Sequence, residues 1–444
     1  MKTTAITRTS FSKSHASLLI LSTALSTAAF GSGFALNELS ARSSGQAFAG
    51  RASDADNAST VAANPAGMSL LKHTEVSFVA SFVDAKSDIS NNSSTVGPLS
   101  ISGSNDGDMI PFTTIPAAYY VQPIDDKLAV GFGVYAPFGL ATEHEDNFQG
   151  RYFGTVSDIQ VITFQPTVSY KLTQNVSVGL GVTYNRFDGK LEKAVFNPLA
   201  PASDIHAKVK GDDDAWGYNI GAIYEFSPDT RVGLTYYSKV KYTLEGHTTI
   251  SNIPSVFGLG SSGRYDASLD VETPDRVDLG ITHNLTPELT LHGEIVRTNW
   301  KTLDEIRVEN ENTPAIAALG GRRPFAESVE PLDWDETMLY SVALSYKLNP
   351  QWILRGGVAL DEQPMSDSNR TVRLPAGDRK IFSLGGTWSA LQNLDIDFSY
   401  MYIKEDDADV TQQTSTLTGA PINYSAKFEN KVNIFALQGT WKFN

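Results

Sequence analysis

The 444-residue chain contains no cysteine. Thiol catalysis, disulfides and cysteine-based metal sites are thereby excluded, an absence that fits an exported protein. Cations are in short supply: 35 Lys and Arg against 50 Asp and Glu give a formal net charge of −15. Nucleic acid is not an expected partner, because neutralising phosphates takes clustered Lys and Arg. Long apolar runs are also missing. Beyond the N-terminus no stretch approaches the ~20 residues that a spanning helix needs, so any residence in a membrane must rest on strands. Catalytic constellations are absent as well. His73, His144, His206, His247, His283 and His292 are scattered, and no Gly-x-Ser-x-Gly elbow occurs. A hydrolase needs nucleophile, base and orienting acid in register, so no enzyme, catalytic residue, cofactor or metal is expected.

What is present begins at the N-terminus. Lys2, Arg8 and Lys13 precede the apolar run "ASLLILSTALSTAAF" and the small residues "GSG". A basic region, a short apolar core and a cleavage option at Ala29-Phe30-Gly31 predict a secretory signal peptide over residues 1–32. The stretch "STVAANPAGMSLL" (59–71) follows. It is Ala-rich and broken by Asn64-Pro65, which makes it a poor strand, and Pro65 interrupts a helix. A segment of small residues trapped between an export signal and the first strand is suited to packing inside a lumen.

From about residue 72 one pattern repeats. In "VSVGLGVTY" (176–184), Val176, Val178, Leu180, Val182 and Tyr184 share one face against Ser177, Gly179, Gly181 and Thr183. Residues 216–226 place Trp216, Tyr218, Ile220, Ala222, Tyr224 and Phe226 together, and residues 394–402 do the same with Leu394, Ile396, Phe398, Tyr400 and Tyr402. Period two with one apolar face means strands with one face in an apolar medium. Six connections are tight: 124–127, 172–175, 227–230, 285–288, 348–351 and 390–393. Seven long polar loops alternate with them, at about 89–108, 139–153, 189–211, 246–266, 303–333, 363–377 and 405–428. Thirteen connections join fourteen strands. An even strand number, short turns at one end, long loops at the other and apolar-out alternation with aromatic ends predict an all-β, 14-stranded antiparallel transmembrane β-barrel in a bacterial outer membrane. A soluble sandwich needs no such loop asymmetry, and a propeller shows a motif per blade that is not found here.

The opposite parity should line the lumen. It carries Glu225, Arg276, Asp278, Glu294, Arg355, Asp361, Arg379, Asp395 and Asp397 beside Leu339, Ala343, Val432, Ile434 and Ala436. Charged ladders mixed with apolar patches suit an amphipathic or apolar cargo better than an ion stream, although inward acid–base pairs also simply brace a barrel. Two outer loops are apolar, "VFNPLAPASDI" (195–205) and "SNIPSVFGLGSSG" (251–263). In the second, Ile253, Val256, Phe257 and Leu259 are candidates for a hydrophobic capture surface, or else for a self-packed lid. The third strand is interrupted: Pro137 removes a ladder donor and Gly139 removes side-chain support, so Pro137, Phe138 and Gly139 mark either a lateral gap or a strand end.

Three blocks in this order carry a resemblance: "GFALNELSARSSGQAFAG" with "NPAGM", then "PFGLATE…FQGRYFG", then "RGGVALDEQPMSDSNRTVRLPAGDR" (355–379). With them, nearly all of the mature chain resembles the FadL-like family of outer-membrane transporters for long-chain fatty acids and related hydrophobic compounds. The resemblance implies that residues 33–71 fold as a hatch inside a barrel of residues 72–444, with Asn64, Pro65 and Ala66 fixing a turn in it. It implies capture of ligand by the outer loops, passage to a pocket against the hatch, and lateral release beside the kinked third strand. Its partners would be long-chain fatty acids, outer-membrane lipid and the barrel assembly machinery, and the chain would be a monomer. Ligand-carboxylate candidates are Lys193, Arg355 and Arg379. Asp335 in "LDWDET" stands where the family often has Lys, which leaves aromatic or aliphatic hydrocarbons open as cargo. The C-terminus Phe443-Asn444 departs from the usual terminal aromatic.

Overall fold

A computed structural model describes residues 32–197, 200 and 203–443. The expected signal peptide therefore lies, but for its last residue, outside the described residues. The wall consists of fourteen strands: β1 (Thr74–Val96), β2 (Thr113–Pro123), β3 (Leu128–Glu143), β4 (Val156–Lys171), β5 (Val176–Val195) and β6 (Ile205–Ser227). Next come β7 (Thr230–Tyr237 and Val240–Ser251), β8 (Ser262–Thr273 and Arg276–Asn284), β9 (Leu289–Asn299 and Glu305–Asn310) and β10 (Glu327–Pro331 and Glu336–Asn349). β11 (Trp352–Asp361), β12 (Arg379–Leu391), β13 (Leu394–Glu405 and Ala408–Ser415) and β14 (Pro421–Phe443) complete it. Each strand pairs antiparallel with its sequence neighbours. β1 closes the circle on β14 from Thr74↔Phe443 to Val96↔Ile422.

The alternation read from the sequence holds in the wall. Phe78, Trp216 and Leu384 stand 66%, 67% and 67% exposed on the outside, while Ser177, Asn219 and Gln438 face a filled interior and are buried. Large apolar groups on the outer face and small polar groups on the inner one are stable only if the outer medium is hydrocarbon. Several strands outrun the expected loops. β5 reaches Val195 and β6 starts at Ile205, well inside the stretch read as a loop at 189–211, and β7, β8, β13 and β14 extend in the same way. Above the membrane the outer face meets water and not lipid, so the outward apolar parity that marks a lipid-facing strand is lost, and in β14 it inverts, with Ile422, Tyr424, Ala426 and Phe428 buried inside.

Two irregularities shape the interior. The pairing of β2 with β3 runs only from Pro123↔Ala129 to Ala118↔Val134, so the outer half of β3 has left its neighbour. On its other side, β3 skips Ala136 and Pro137 in the register with β4. Four adjacent strands are also broken at one level: β7 at 238–239, β8 at 274–275, β9 by a 3₁₀ turn Trp300–Thr302, and β10 at 332–335. The breaks in β9 and β10 admit Trp300 and Trp334 to the lumen, where both are buried.

Residues 32–73 fill the barrel. They hold two one-turn helices (Ala41–Ser44 and Thr60–Ala63) and a 3₁₀ turn, Pro65–Leu70, which Pro65 opens at a position where its missing N–H costs nothing. Asn64 organises this turn. Its Oδ1 accepts from Ala66 N at 3.0 Å, and its Nδ2 donates to the carbonyls of Ala52 at 2.6 Å and, on β6, Ala222 at 3.2 Å. The contact is so close that a Cβ added to Gly221 would fall 1.9 Å from Asn64 Oδ1. Gly221→Val should therefore unseat this turn while leaving the wall intact. The expected outcome is a heat-modifiable β-barrel of normal β-content with raised conductance in planar bilayers; unchanged conductance would show that the turn seals nothing.

Candidate functional site: the lumen above and below the internal segment

The internal segment is tied to the wall almost all the way round. Ser40 Oγ donates to Gln438 of β14 at 2.9 Å, Ser81 Oγ of β1 to Glu38 O at 2.9 Å, and Tyr119 OH of β2 to Leu39 O at 3.0 Å. Gln165 of β4 donates to Val61 O at 2.7 Å, Thr235 of β7 to Ala63 O at 3.1 Å, and Ser341 of β10 to Ala47 O at 2.6 Å. At β3 the bonds are backbone to backbone. Leu36 N donates to Pro137 O at 2.8 Å and Gly139 N to Phe34 O at 2.9 Å, so residues 34–36 act as a short strand on the part of β3 that β2 has left. Pro137, Phe138 and Gly139 thus lie where the wall is thinnest and the internal segment is stitched to it.

Phe34 sits at the top of this stitch. Its ring centroid lies 5.7 Å from Phe138, 4.9 Å from Trp300 and 6.0 Å from Trp334. Gly33 makes the approach possible: its φ is +59°, and a Cβ there would come 2.7 Å from the Trp300 ring. Trp300 Nε1 in turn donates to Ser32 Oγ at 3.0 Å. The four rings form a partition across the lumen.

A cavity lies on either side. The upper one, with about 80 Å³ of free space, is almost wholly apolar; Phe34 and Trp334 border it with Leu140, Ile159, Phe187 and Leu332. The lower one, about 130 Å³, runs along Leu36, Tyr135, Phe138 and Tyr242 to Arg51 and Arg276. These two guanidinium groups share partners. Arg276 donates to both carboxylate oxygens of Asp278 at 2.6 and 2.7 Å and to Asn37 at 3.0 Å, while Arg51 lies 3.1 Å from Asp278 and donates to the same Asn37. Glu294 accepts from Ala52 N beside them.

The other expected site residues fall in three places. Arg355 is buried low in the barrel, 3.6 Å from Asp397. Arg379 is buried near the upper end of β12, 3.7 Å from Asp361 and 3.4 Å from Glu405. Neither lines either cavity. Lys193 faces inward high on β5, donates to Ser328 Oγ at 2.9 Å, and lines a separate groove among the outer loops with Val195, Ile250, Phe325 and Leu417. Of the apolar loop residues, Ile253 and Phe257 are buried against Ile250, Ile316 and Phe325, with Leu259 packed at the edge, whereas Val256 is 57% exposed. Phe34, Trp300, Trp334 and Arg51 escaped the sequence reading. They belong to no amphipathic strand, and the only local sign was Gly33 in front of Phe34.

Residues 22–443 match the family model described as "Outer membrane protein transport protein (OMPP1/FadL/TodX)". The chain belongs to the FadL/TodX family. It is 28% identical over 470 residues to outer membrane protein P1 of Haemophilus influenzae, covering 96% of this chain and 98% of that one. It is 27% identical over 468 residues to the long-chain fatty acid transport protein of Escherichia coli O6:H1, covering 98% and 99%. Among solved structures, a Pseudomonas aeruginosa FadL homologue superposes with a TM-score of 0.83 at 21% identity, covering 94% of this chain and 100% of that one. The toluene transporter TbuX of Ralstonia pickettii reaches 0.63 at 18% identity, covering 90% and 98%. As a FadL/TodX protein the chain is an outer-membrane channel for hydrophobic compounds and not an enzyme.

The internal segment also carries buried charge. Burial raises the Glu38 carboxyl above its ordinary range despite Arg379 and Arg51. Burial acts on Asp54 in the same direction, but there Arg42, at 3.4 Å, His292 and Arg231 outweigh it and lower the pKa from 3.8 to about 2. A depressed carboxylate stabilises the docked state above its undocked pKa and stops doing so as pH falls through the docked value. The contribution of Asp54 to docking of this corner should therefore be constant from neutrality down to about 4 and be lost between 3.8 and about 2. Asp54→Asn should abolish that dependence. Hydrogen exchange of residues 50–60 measured along an acid titration checks both.

Proposed function

We propose that this channel takes up long-chain fatty acids passively. Residues 1–32 are its signal peptide, residues 33–71 a movable hatch and residues 72–444 the barrel. Cargo is caught in the outer-loop groove beside Lys193, with Val256 and its neighbours as the apolar rim, and then enters the upper cavity. Displacement of Phe34 joins the two cavities, and withdrawal of residues 34–36 from Pro137 and Gly139 opens the wall where β3 has left β2. The acyl chain leaves sideways into the membrane, which avoids the ~0.8 kcal/mol per methylene that exposure to water would cost.

The observation that carries this reading is the order of polarity along the lumen: an apolar chamber above, and a chamber ending in Arg51 and Arg276 below. That is the polarity of an amphiphile with a carboxylate head. We assign the head group to Lys193 at capture and to Arg276 in the lower cavity. Arg355, beside Asp397, and Arg379, between Asp361 and Glu405, act as braces.

A second reading, uptake of neutral aromatic or aliphatic hydrocarbons by the same route, is favoured by the pairing of both lower arginines with Asp278. It is favoured too by cavity size, since a dry cavity of about 150 Å³ accommodates benzene. Binding of oleate and of toluene to purified protein separates the two. Arg276→Gln should weaken oleate roughly tenfold or more, as expected for loss of a charged hydrogen bond, and Lys193→Ala should slow its capture; toluene should be indifferent to both. If oleate binds no better than toluene and neither substitution matters, the cargo is neutral.

A further inference from the structure

The lipid-facing side of the barrel carries an arrangement that transport does not use. Lys86 of β1 stands directly opposite Lys431 of β14, Lys431 opposite Lys404 of β13, and Lys404 opposite Lys380 of β12. All four are exposed and lie on the outward parity. Side chains directly opposite on one face start ~5 Å apart, and like charges so placed are destabilising. A row of four needs something to offset it.

Carboxylates supply only part of that. Lys380 is bound to Asp406 at 2.5 Å. Glu429 and Asp407, on the loop side of the row, are held by Lys427 at 3.6 and 2.6 Å. Asp84 and Asp88 flank Lys86 two residues to either side. Among the described residues, no carboxylate comes within 4.0 Å of the amines of Lys86, Lys404 or Lys431.

The height of the row indicates what does. Below it, past Asp84 and Asn433, the outward face is aromatic and aliphatic, with Phe82, Phe435, Tyr402 and Phe382 among its upper members. From Trp441 near the short-turn end, ten residues of β14 lead up to Lys431, about 33 Å along a strand. At a tilt of ~40° that spans ~25 Å, the height of the apolar band of an outer-membrane barrel. The amines therefore stand at the head-group level of the outer leaflet. A furrow of about 850 Å³ on the lipid side, walled by Tyr340, Val342, Val358 and Phe382, rises to Lys380. It exists because outward Gly293 contributes no side chain, and a neighbouring depression has Gly356 at its floor.

We propose that this row is a binding site for a phosphorylated glycolipid of the outer leaflet. Its phosphates sit between Lys86, Lys431 and Lys404, and one acyl chain lies in the furrow beneath Lys380. Charge complementarity carries the assignment: the cluster of unpaired cations lies on an otherwise acidic protein, at the level where the phosphates of the outer leaflet meet it.

Native mass spectrometry of the delipidated full barrel, titrated with bisphosphorylated lipid A, tests the proposal. At roughly fivefold per lysine near a charged lipid surface, K86Q/K404Q/K431Q should bind about 100-fold more weakly, and K86R/K404R/K431R should bind as the wild type does. Dephosphorylated lipid A and phosphatidylethanolamine should bind wild type no better than they bind the Gln variant. Equal binding of phosphorylated and dephosphorylated lipid A, or undiminished binding by the Gln variant, overturns it. Should the triple Gln variant fail to reach the heat-modifiable form, K404Q in the centre of the row decides alone, with about a fivefold loss expected and no loss as the contrary result.

Discussion

A strand that leaves its neighbour within a membrane must find other partners for its amides and carbonyls, because lipid offers none. β3 does this after Val134, where its ladder with β2 ends. The carbonyl of Pro137 and the amide of Gly139 are satisfied from inside, by Leu36 and Phe34. The remainder of the lumen depends on this exchange. It fixes the height of residues 34–36, presses Phe34 against Phe138, Trp300 and Trp334, and so divides the interior into two chambers. The two hydrogen bonds lie beside the thinnest part of the wall.

The ion pairs inside the barrel belong to a different layer of the design. Arg355 with Asp397, Arg379 with Asp361 and Glu405, and Arg51 and Arg276 with Asp278 each bury charge against charge. Buried pairs contribute little net stability but penalise any arrangement that separates them. Here they hold the internal segment and the strands in one register, while the contact of residues 34–36 with β3 uses backbone groups and no charge. The interior thus combines charged pairs buried at several heights with a neutral, backbone-bonded contact at β3.

Much of the wall was legible beforehand. The fourteen strands, the short-turn end and the outward aromatics all follow from period-two alternation, because each strand meets lipid on one side along its whole membrane depth. Legibility failed where that condition lapses. The extensions of β5 to Val195 and of β13 to Ser415 no longer meet lipid on their outer face, and the aligned breaks at Trp300 and Trp334 interrupt the period they would have been read from. Within the site, Pro137 and Gly139 were visible as residues a ladder tolerates badly, and Asn64-Pro65 as a turn that refuses a strand. Arg355 and Arg379 were rightly placed on the inward face. That Arg355 would stand beside Asp397 of β13, and Arg379 between Asp361 and Glu405 of the adjacent strands, was not contained in either strand's own pattern.

The sequence by itself determined the medium on each side of the wall, the number of crossings and the presence of a segment unfit to be part of that wall. Those are properties of short windows, in which lipid or water acts on every second residue alike. The tertiary structure alone decided that Phe34 meets Trp300 and Trp334, that Leu36 replaces β2 as the partner of β3, and that Arg51 and Arg276 share one carboxylate. Such contacts join residues far apart in the chain across a curved interior, and no local periodicity records which of many apolar or charged side chains will stand at the same height when the barrel closes.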